Sequence, residues 1–393
     1  MKRYLSIIAR VLLAVLGLLY VAYSLNWHDY IELPVGHALN TTDTPLNLDV
    51  IALSDAGYTV EPPPGSTASG LAFAREELGS AERGEPELHE SVVTMLANAN
   101  WTLLLLGLGL VGPIYSIQAY RWLVLMRCRE LDVTYARCFK LNMVGTFFNL
   151  CMPGTTGGDV IKAYYAAKRS DRRGAAVMSV IFDRVTGLLG LVIVAGVASL
   201  FIYRDPFGHQ VAVYVWIVLG ATVVGSALYF SRRLHKLIGL EYLTSKLKPE
   251  SVLARVESTA RAYSAHKLAV TWSVLLSLPV HVMLAGAGAV AGYALGVETG
   301  LIFLLTVIPL LLLAGSAPLT LQGLGVMEFL AFKMLLPTGT ATANQVVGML
   351  LLLRLYMVFY GLLGSIYLLG GDIHLHEAEA AAPPTEDAEQ ATA

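Results

Sequence analysis

The sequence predicts an all-α, polytopic integral membrane bundle with about six full spans and two re-entrant, broken helical hairpins in the pattern of an inverted repeat. Three observations lead there. The 393 residues are 55% apolar and only 14% charged, where a soluble domain carries nearer a quarter charged. Several apolar runs reach the roughly 20 residues that a spanning helix needs. Two further apolar runs are too short to span, and Gly/Pro-containing stretches interrupt them.

The runs of spanning length cover residues 5–25, 98–124, 175–202, 211–230, 268–295 and 341–370. Lys2 and Arg3 precede the first, as in a secretory signal. The run is too long for one and no A-x-A-like site closes it, so it reads as a retained first helix. Residues 26–98 follow as an acidic extracytoplasmic loop, with 12 acids against two bases. No repeated apolar pattern of a packed core is evident there. The loop reads as mostly irregular, with a short helix near 71–83. Residues 99–370 form the transmembrane domain, and 371–393 an acidic, disordered tail.

Lys/Arg bias sets orientation. Residues 231–267 hold eight Lys/Arg against three acids and belong in the cytoplasm, with 126–140 and 162–174. Arg121, Arg127 and Arg129 fall with this inner set, at the end of the second helix. The expected location is the cytoplasmic membrane with the N-terminus inside. Cys128, Cys138 and Cys151 all fall inside or in the membrane, so no disulfide is expected.

The first short run, Cys138–Met152, extends about 22 Å as a helix, less than the ~30 Å hydrocarbon core. The turn from Pro153 to Asp159 breaks it, with Gly157 and Gly158 inside. Both flanks are basic, so it enters and leaves on one side. The second run, Leu301–Ala314, contains Pro309; residues 316–325 interrupt it, and Val326–Leu336 resumes. Paired interrupted segments in the two halves of a chain point to a site at the interface of inverted repeats. If the first enters from the cytoplasm, the second enters from outside and the C-terminus lies inside. Were residues 301–318 to cross fully, the tail would lie outside.

Charges at membrane depth are costly and mark function by default. They are Asp159, Lys162, Asp183, Arg184, Glu328, Lys333 and Arg354. Asp159 and Glu328 each follow a break closely, near the start of a resumed helix. Capping alone favours a carboxylate there; the other reading is that freed N–H groups cradle an anionic head group. Asp183 and Arg184 project about 100° apart on a helix, so each needs its own partner. Lys162 or another base suits Asp183, and Asp159 or Glu328 suits Arg184. Arg354 lies too deep to snorkel, so a buried partner is expected; the alternative to a functional role is a static interhelical pair that fixes the bundle. Lys333 is placed to snorkel, and Arg10 either to snorkel or to face the bundle. Asn142 and Asn149 share a helix face. His281 reads as packed and neutral.

Sequence signatures exclude several classes. No G-x-S-x-G, H-E-x-x-H or P-loop is present, no Cys/His spacing matches zinc, and no cofactor is implied. The bases follow the inside rule instead of forming a nucleic-acid patch.

Three elements in series carry a resemblance: Asn149 to Tyr165, with Pro153, Gly157, Gly158, Asp159 and Lys162; Ser179 to Arg184; and Gln322-Gly323-Leu324-Gly325 leading to Glu328. Over residues 95–370 the chain resembles the lysylphosphatidylglycerol synthase transmembrane, flippase-like family. The resemblance implies a bundle that moves lipids or lipid-linked substrates, with these residues in the substrate path; Arg354 is added to them as a charge at membrane depth. It differs at Asp159 and Lys162, where Glu and Arg are usual, and at Gln322, where a Gly pair is usual. No aminoacyl-transferase domain is recognisable, so no lipid synthesis is expected. Expected partners are membrane lipids, anionic or lipid-linked. The alternative is a non-transporting scaffold or accessory subunit of an envelope lipid or glycan enzyme. Neither oligomeric state nor the identity of the lipid is encoded legibly.

Overall fold

The computed structural model describes residues 19, 23, 25 and 27–368, except 36, 38, 41–43, 55–56, 63–69, 75–76, 79–84, 152–156, 169, 203–208, 211, 218, 222–262, 264 and 317–322. The first helix at 5–25, Arg10, the basic 231–267 segment and the tail therefore lie wholly or almost wholly outside the described residues. Only part of the 211–230 span is described, as short helical stretches.

The acidic 26–98 stretch departs from expectation. It forms a five-stranded antiparallel sheet: β1 (Tyr30–Leu33), β2 (Leu46–Ser54), β3 (Gly57–Val60), β4 (Leu71–Ala74) and β5 (Glu87–His89), in the order β4-β3-β2-β1-β5. Residues 71–74 are a strand instead of the expected helix. Chain-order pairing of β1 through β4 makes a meander, and β5 returns to the free side of β1. Ile31, Leu33, Leu48, Val60 and Phe73 supply its small core. Side chains alternate across a strand, so each short strand gives that core only one or two residues. This period-2 signal is faint beneath the acids and turn residues around it, and the chain is not all-α.

A short helix, α1 (Val92–Ala97), links sheet to bundle. Its start is fixed by Asp29, which accepts from the Ser91 N–H at 2.6 Å and from the Thr94 hydroxyl at 2.9 Å. Among the described residues, four helices are long and apolar enough to cross a membrane: α2 (Trp101–Arg127), α5 (Arg173–Ile202), α6 (Lys267–Ala294) and α9 (Ala343–Gly364, continued by a 3-10 turn to Leu368). Asn100 caps α2 by accepting from the N–H groups of Thr102 and Leu103. Thr342 and Gln345 close a reciprocal capping box on α9. Both are side-chain answers to the unpaired N–H groups of a helix start.

Both interrupted segments fold as helix–break–helix. The first is α3 (Tyr135–Cys151) with α4 (Gly157–Lys168); the second is α7 (Leu301–Ser316) with α8 (Val326–Leu335). Each folds back on itself. Arg137 reaches the Tyr165 carbonyl while Gly145 lies against Gly158, so α3 and α4 run antiparallel. Gly315 lies against Gly323 at the second break.

The two hairpins enter the bundle from opposite ends. The sheet end gathers the start of α2, bonded to Ala294 at the end of α6, and the start of α9, bonded to Leu295. The loop after α8 joins the loop before α7 there, through the Glu298 N–H and the Thr340 carbonyl. At the other end α3 starts just after α2 finishes, and α4 finishes just before α5 starts. The end of α9 packs there too, with Tyr367 edge-on to Phe139. The largest core cluster joins α6, α7 and α9 through Ala285, Ala289, Leu304, Ile308, Leu311, Met349 and Leu353.

Candidate functional site

The described ends of the two hairpins face a common space at the level of Arg354, halfway along α9. Between them lies a cavity of about 280 Å³. Thr146, Asn149 and Leu150 come from α3, Leu312, Gly315 and Ser316 from α7, and Met327 from α8. Arg184 of α5 and Arg354 of α9 complete the wall with Leu350, Leu353, Met357 and Val358. The lining is mostly apolar with two guanidinium groups set into it.

Each guanidinium is paired to an acid at the start of a resumed helix. Arg184 donates to Asp159 in the first turn of α4. Arg354 donates to Glu328 in the first turn of α8. The sequence separations are nearly identical, 25 and 26 residues. Glu328 also accepts from the Gly325 N–H at 2.8 Å, so it caps α8 and holds Arg354 at once. The capping and ion-pair readings of that acid are both true. Gly325 (φ +81°) and Gly323 (φ +73°) supply left-handed backbone for this turn, which side chains disfavour.

At the first tip the cap comes from the neighbouring helix: Asn149 accepts from the Gly158 N–H at 2.8 Å. Both glycines of that turn, Gly157 and Gly158, open α4. A Cβ on Gly158 would stand 1.8 Å from the Gly145 carbonyl oxygen, so only glycine allows the hairpin to close. Pro153 and Gln322, in the two breaks, lie outside the described residues.

Behind the first tip is a second, sealed polar cluster. Asp183 takes Arg121 on one oxygen at 2.8 Å and Lys162 on the other at 3.3 Å. Lys162 also donates to Asn142 at 3.3 Å and sits 4.1 Å from the centre of the Trp122 ring. Arg121 donates to Ser277 at 2.8 Å, and Trp122 donates to Ser179 at 3.0 Å. Ser273 donates to Thr186, and His281 contacts the Gly187 carbonyl at 2.8 Å. The cluster thus ties α2, α3, α4, α5 and α6 together. Its members are 5–8% exposed at Arg121, Lys162 and Asp183, against 35% for Arg184 and 19% for Arg354.

Asp159, Lys162, Asp183, Arg184, Glu328 and Arg354 all find partners of the expected kind. Asn142 and Asn149 both turn toward α4. Lys333 is exposed. Arg121 is the correction: grouped by sequence with the inner-surface bases, it is buried and pairs with Asp183. No sequence signal separates it from the surface bases that follow it.

In comparison with curated proteins the chain has no match. In comparison with protein families, residues 89–364 match the lysylphosphatidylglycerol synthase TM region. The match begins where the sheet ends and covers both hairpins, the cavity and the sealed cluster. The chain is a multi-pass membrane protein and belongs to the family of the lysylphosphatidylglycerol synthase transmembrane region.

Proposed function

We propose that this chain is a transporter that moves a lipid or lipid-linked substrate across the cytoplasmic membrane, without enzymatic activity of its own. The observation that carries the reading is the cavity between two oppositely entering broken hairpins, with Arg184 and Arg354 in its wall. Irregular backbone at membrane depth is tolerated where it is buried in protein or lines a cavity. Paired broken helices around a central site are the arrangement by which inverted-repeat transporters expose one site to either side in turn. The matched acid–Arg pairs, at separations of 25 and 26 residues, support a repeat of hairpin plus following span. In this reading the hairpins are re-entrant, and the basic end of the bundle is cytoplasmic with the N-terminus on that side.

A second reading, a non-transporting scaffold for an envelope enzyme, draws on the pairing of Asp159, Asp183 and Glu328 with bases. The cavity weighs against it, since a purely structural bundle gains nothing from a void beside two guanidinium groups.

The test is reconstitution in liposomes with fluorescent phospholipids and a membrane-impermeant quencher. Lipid crossing should require the protein. It should fall about tenfold in the paired variant E328Q/R354Q, the scale of one charge-assisted hydrogen bond. Gln at the third helical position preserves the cap. Crossing at the wild-type rate in this variant, with the fold intact, would remove Arg354 from the site.

A further inference from the structure

The chain leaves the described fold at the opening of the first hairpin. Tyr367 lies edge-on to Phe139 of α3, with ring centres 6.0 Å apart. Leu368 packs on the same buried cluster, which includes Trp122, Cys138, Leu141 and Tyr165. The exposed Lys140 is one helical step round from Phe139. Among the described residues, six exposed cations stand at this end of the bundle: Arg127, Lys140, Lys168, Arg172, Arg173 and Lys267. Three exposed acids accompany them, Glu130, Asp132 and Asp171, and Glu130 takes Arg172 at 2.5 Å. The surface around the opening is therefore basic in excess.

The sequence that follows is its complement. Residues 369–393 hold six acids and no Lys or Arg. The first, Asp372, is four residues past Leu368, a reach of up to about 14 Å, and a helix with its side chains is about 10–12 Å across. Asp372 thus reaches Lys140 on the exposed side of α3. Glu377 and Glu379 reach beyond it to Lys168 and Arg173, at the end of α4 and the start of α5. In the orientation proposed above, the anionic leaflet on this side repels such a stretch, and the basic opening attracts it. One exposed pair contributes little, but six acids on one tether act together at high effective concentration. The arms of the hairpin are themselves joined here by a bond from Arg137 to the Tyr165 carbonyl, 3.2 Å long. We infer that the acidic stretch 372–389 docks on the basic opening of the first hairpin, ties α3 to the turn between α4 and α5, and so restrains the hairpin whose far end lines the cavity. The effect on lipid crossing rests on the transport reading above, and the docking itself does not.

The experiment is zero-length carbodiimide crosslinking of the purified full chain, read by mass spectrometry, in nanodiscs of phosphatidylcholine with and without phosphatidylglycerol. Asp372, Glu377 or Glu379 should form amide links to Lys140 or Lys168 in both. The links should vanish at about 1 M salt, where charges are screened within about 3 Å. No such links, or links only to lysines elsewhere in the chain, overturn the docking. Links lost when phosphatidylglycerol is present overturn it in favour of the leaflet as the partner of these cations. Links found only between isotope-labelled and unlabelled copies overturn it in favour of a second chain. The second measurement uses a variant with all six acids replaced by Asn or Gln. These positions lie beyond residues 89–364, which match the family, so the bundle is left as it is. Lipid crossing should rise roughly fivefold, the scale of one strong exposed ion pair. An unchanged rate, with the links present in the parent protein, overturns the restraint. The two readings fail separately, since links without crossing in either protein leave the docking and remove transport.

Discussion

Asp183 and Arg184 are neighbours in sequence and belong to different polar clusters. One helical step turns them about 100° apart. Asp183 faces inward to Arg121 and Lys162, and Arg184 faces the cavity with Asp159. Removing the charge of Asp183 would strand two cations in a sealed site, and breaking a buried pair in this way costs about 3–5 kcal/mol. Asp183→Asn should therefore lower the thermal unfolding temperature of the purified protein sharply. Asp159→Asn, at a pair one-third exposed to the cavity, should lower it much less while impairing lipid crossing. Comparable losses of stability in both would show that the cavity pair is structural. The sequence signals the need for partners at Asp183, Arg184 and Arg354, because charge in an apolar run demands one. It does not signal Arg121, which lies six residues before the end of α2. A base so near a helix end reads equally well as one that snorkels to the surface.

The hairpins show the same contrast at the scale of elements. Their existence is legible, since an apolar run too short to span and closed by Gly and Pro has few other outcomes in a membrane. Their closure is not legible, because it depends on glycine pairs distant in sequence. Gly158 approaches Gly145 in the first hairpin, and Gly323 approaches Gly315 in the second, where a Cβ on Gly323 would lie 2.6 Å from the Gly315 Cα. Gly158→Ala should prevent closure, since the obstructing atom is backbone and cannot swing away. The expected result is loss of the monodisperse protein on size-exclusion chromatography. Gly174→Ala is the control. Nothing lies within 4 Å of its added Cβ, and Ala in a helix is favoured over Gly by about 1 kcal/mol. Normal recovery of the Gly158→Ala protein would mean that the hairpin can open without unfolding the bundle. The sheet is the reverse case, an element almost invisible in the sequence. Its strands are three to nine residues long and alternate inward and outward, and acids on the outward positions mask the pattern.

For the whole molecule, the arrangement of ends joins topology to charge. Arg127, Arg129, Arg137, Lys140, Lys168, Arg172, Arg173 and Lys267 gather where the first hairpin enters. The sheet, in a stretch of 12 acids and two bases, stands at the other end. It is joined to the bundle through the Glu90 carbonyl, which accepts from Asn344 at 2.8 Å, and through Met95, which packs beside Gly348. Short basic segments stay in the cytoplasm, and acidic ones have little bearing on orientation. In the proposed orientation the basic end is therefore the cytoplasmic one, and the sheet stands outside. Cysteine labelling with a membrane-impermeant maleimide tests this in a background where Cys128, Cys138 and Cys151 are replaced. In right-side-out vesicles the S54C variant, on the exposed end of β2, should be labelled directly. The D171C variant, between α4 and α5, should be labelled only after permeabilisation. The reverse pattern would invert the molecule and place the mouth of the first hairpin outside. Labelling of both from one side would contradict the entry of the hairpins from opposite faces, and with it the alternating exposure of the cavity on which transport depends.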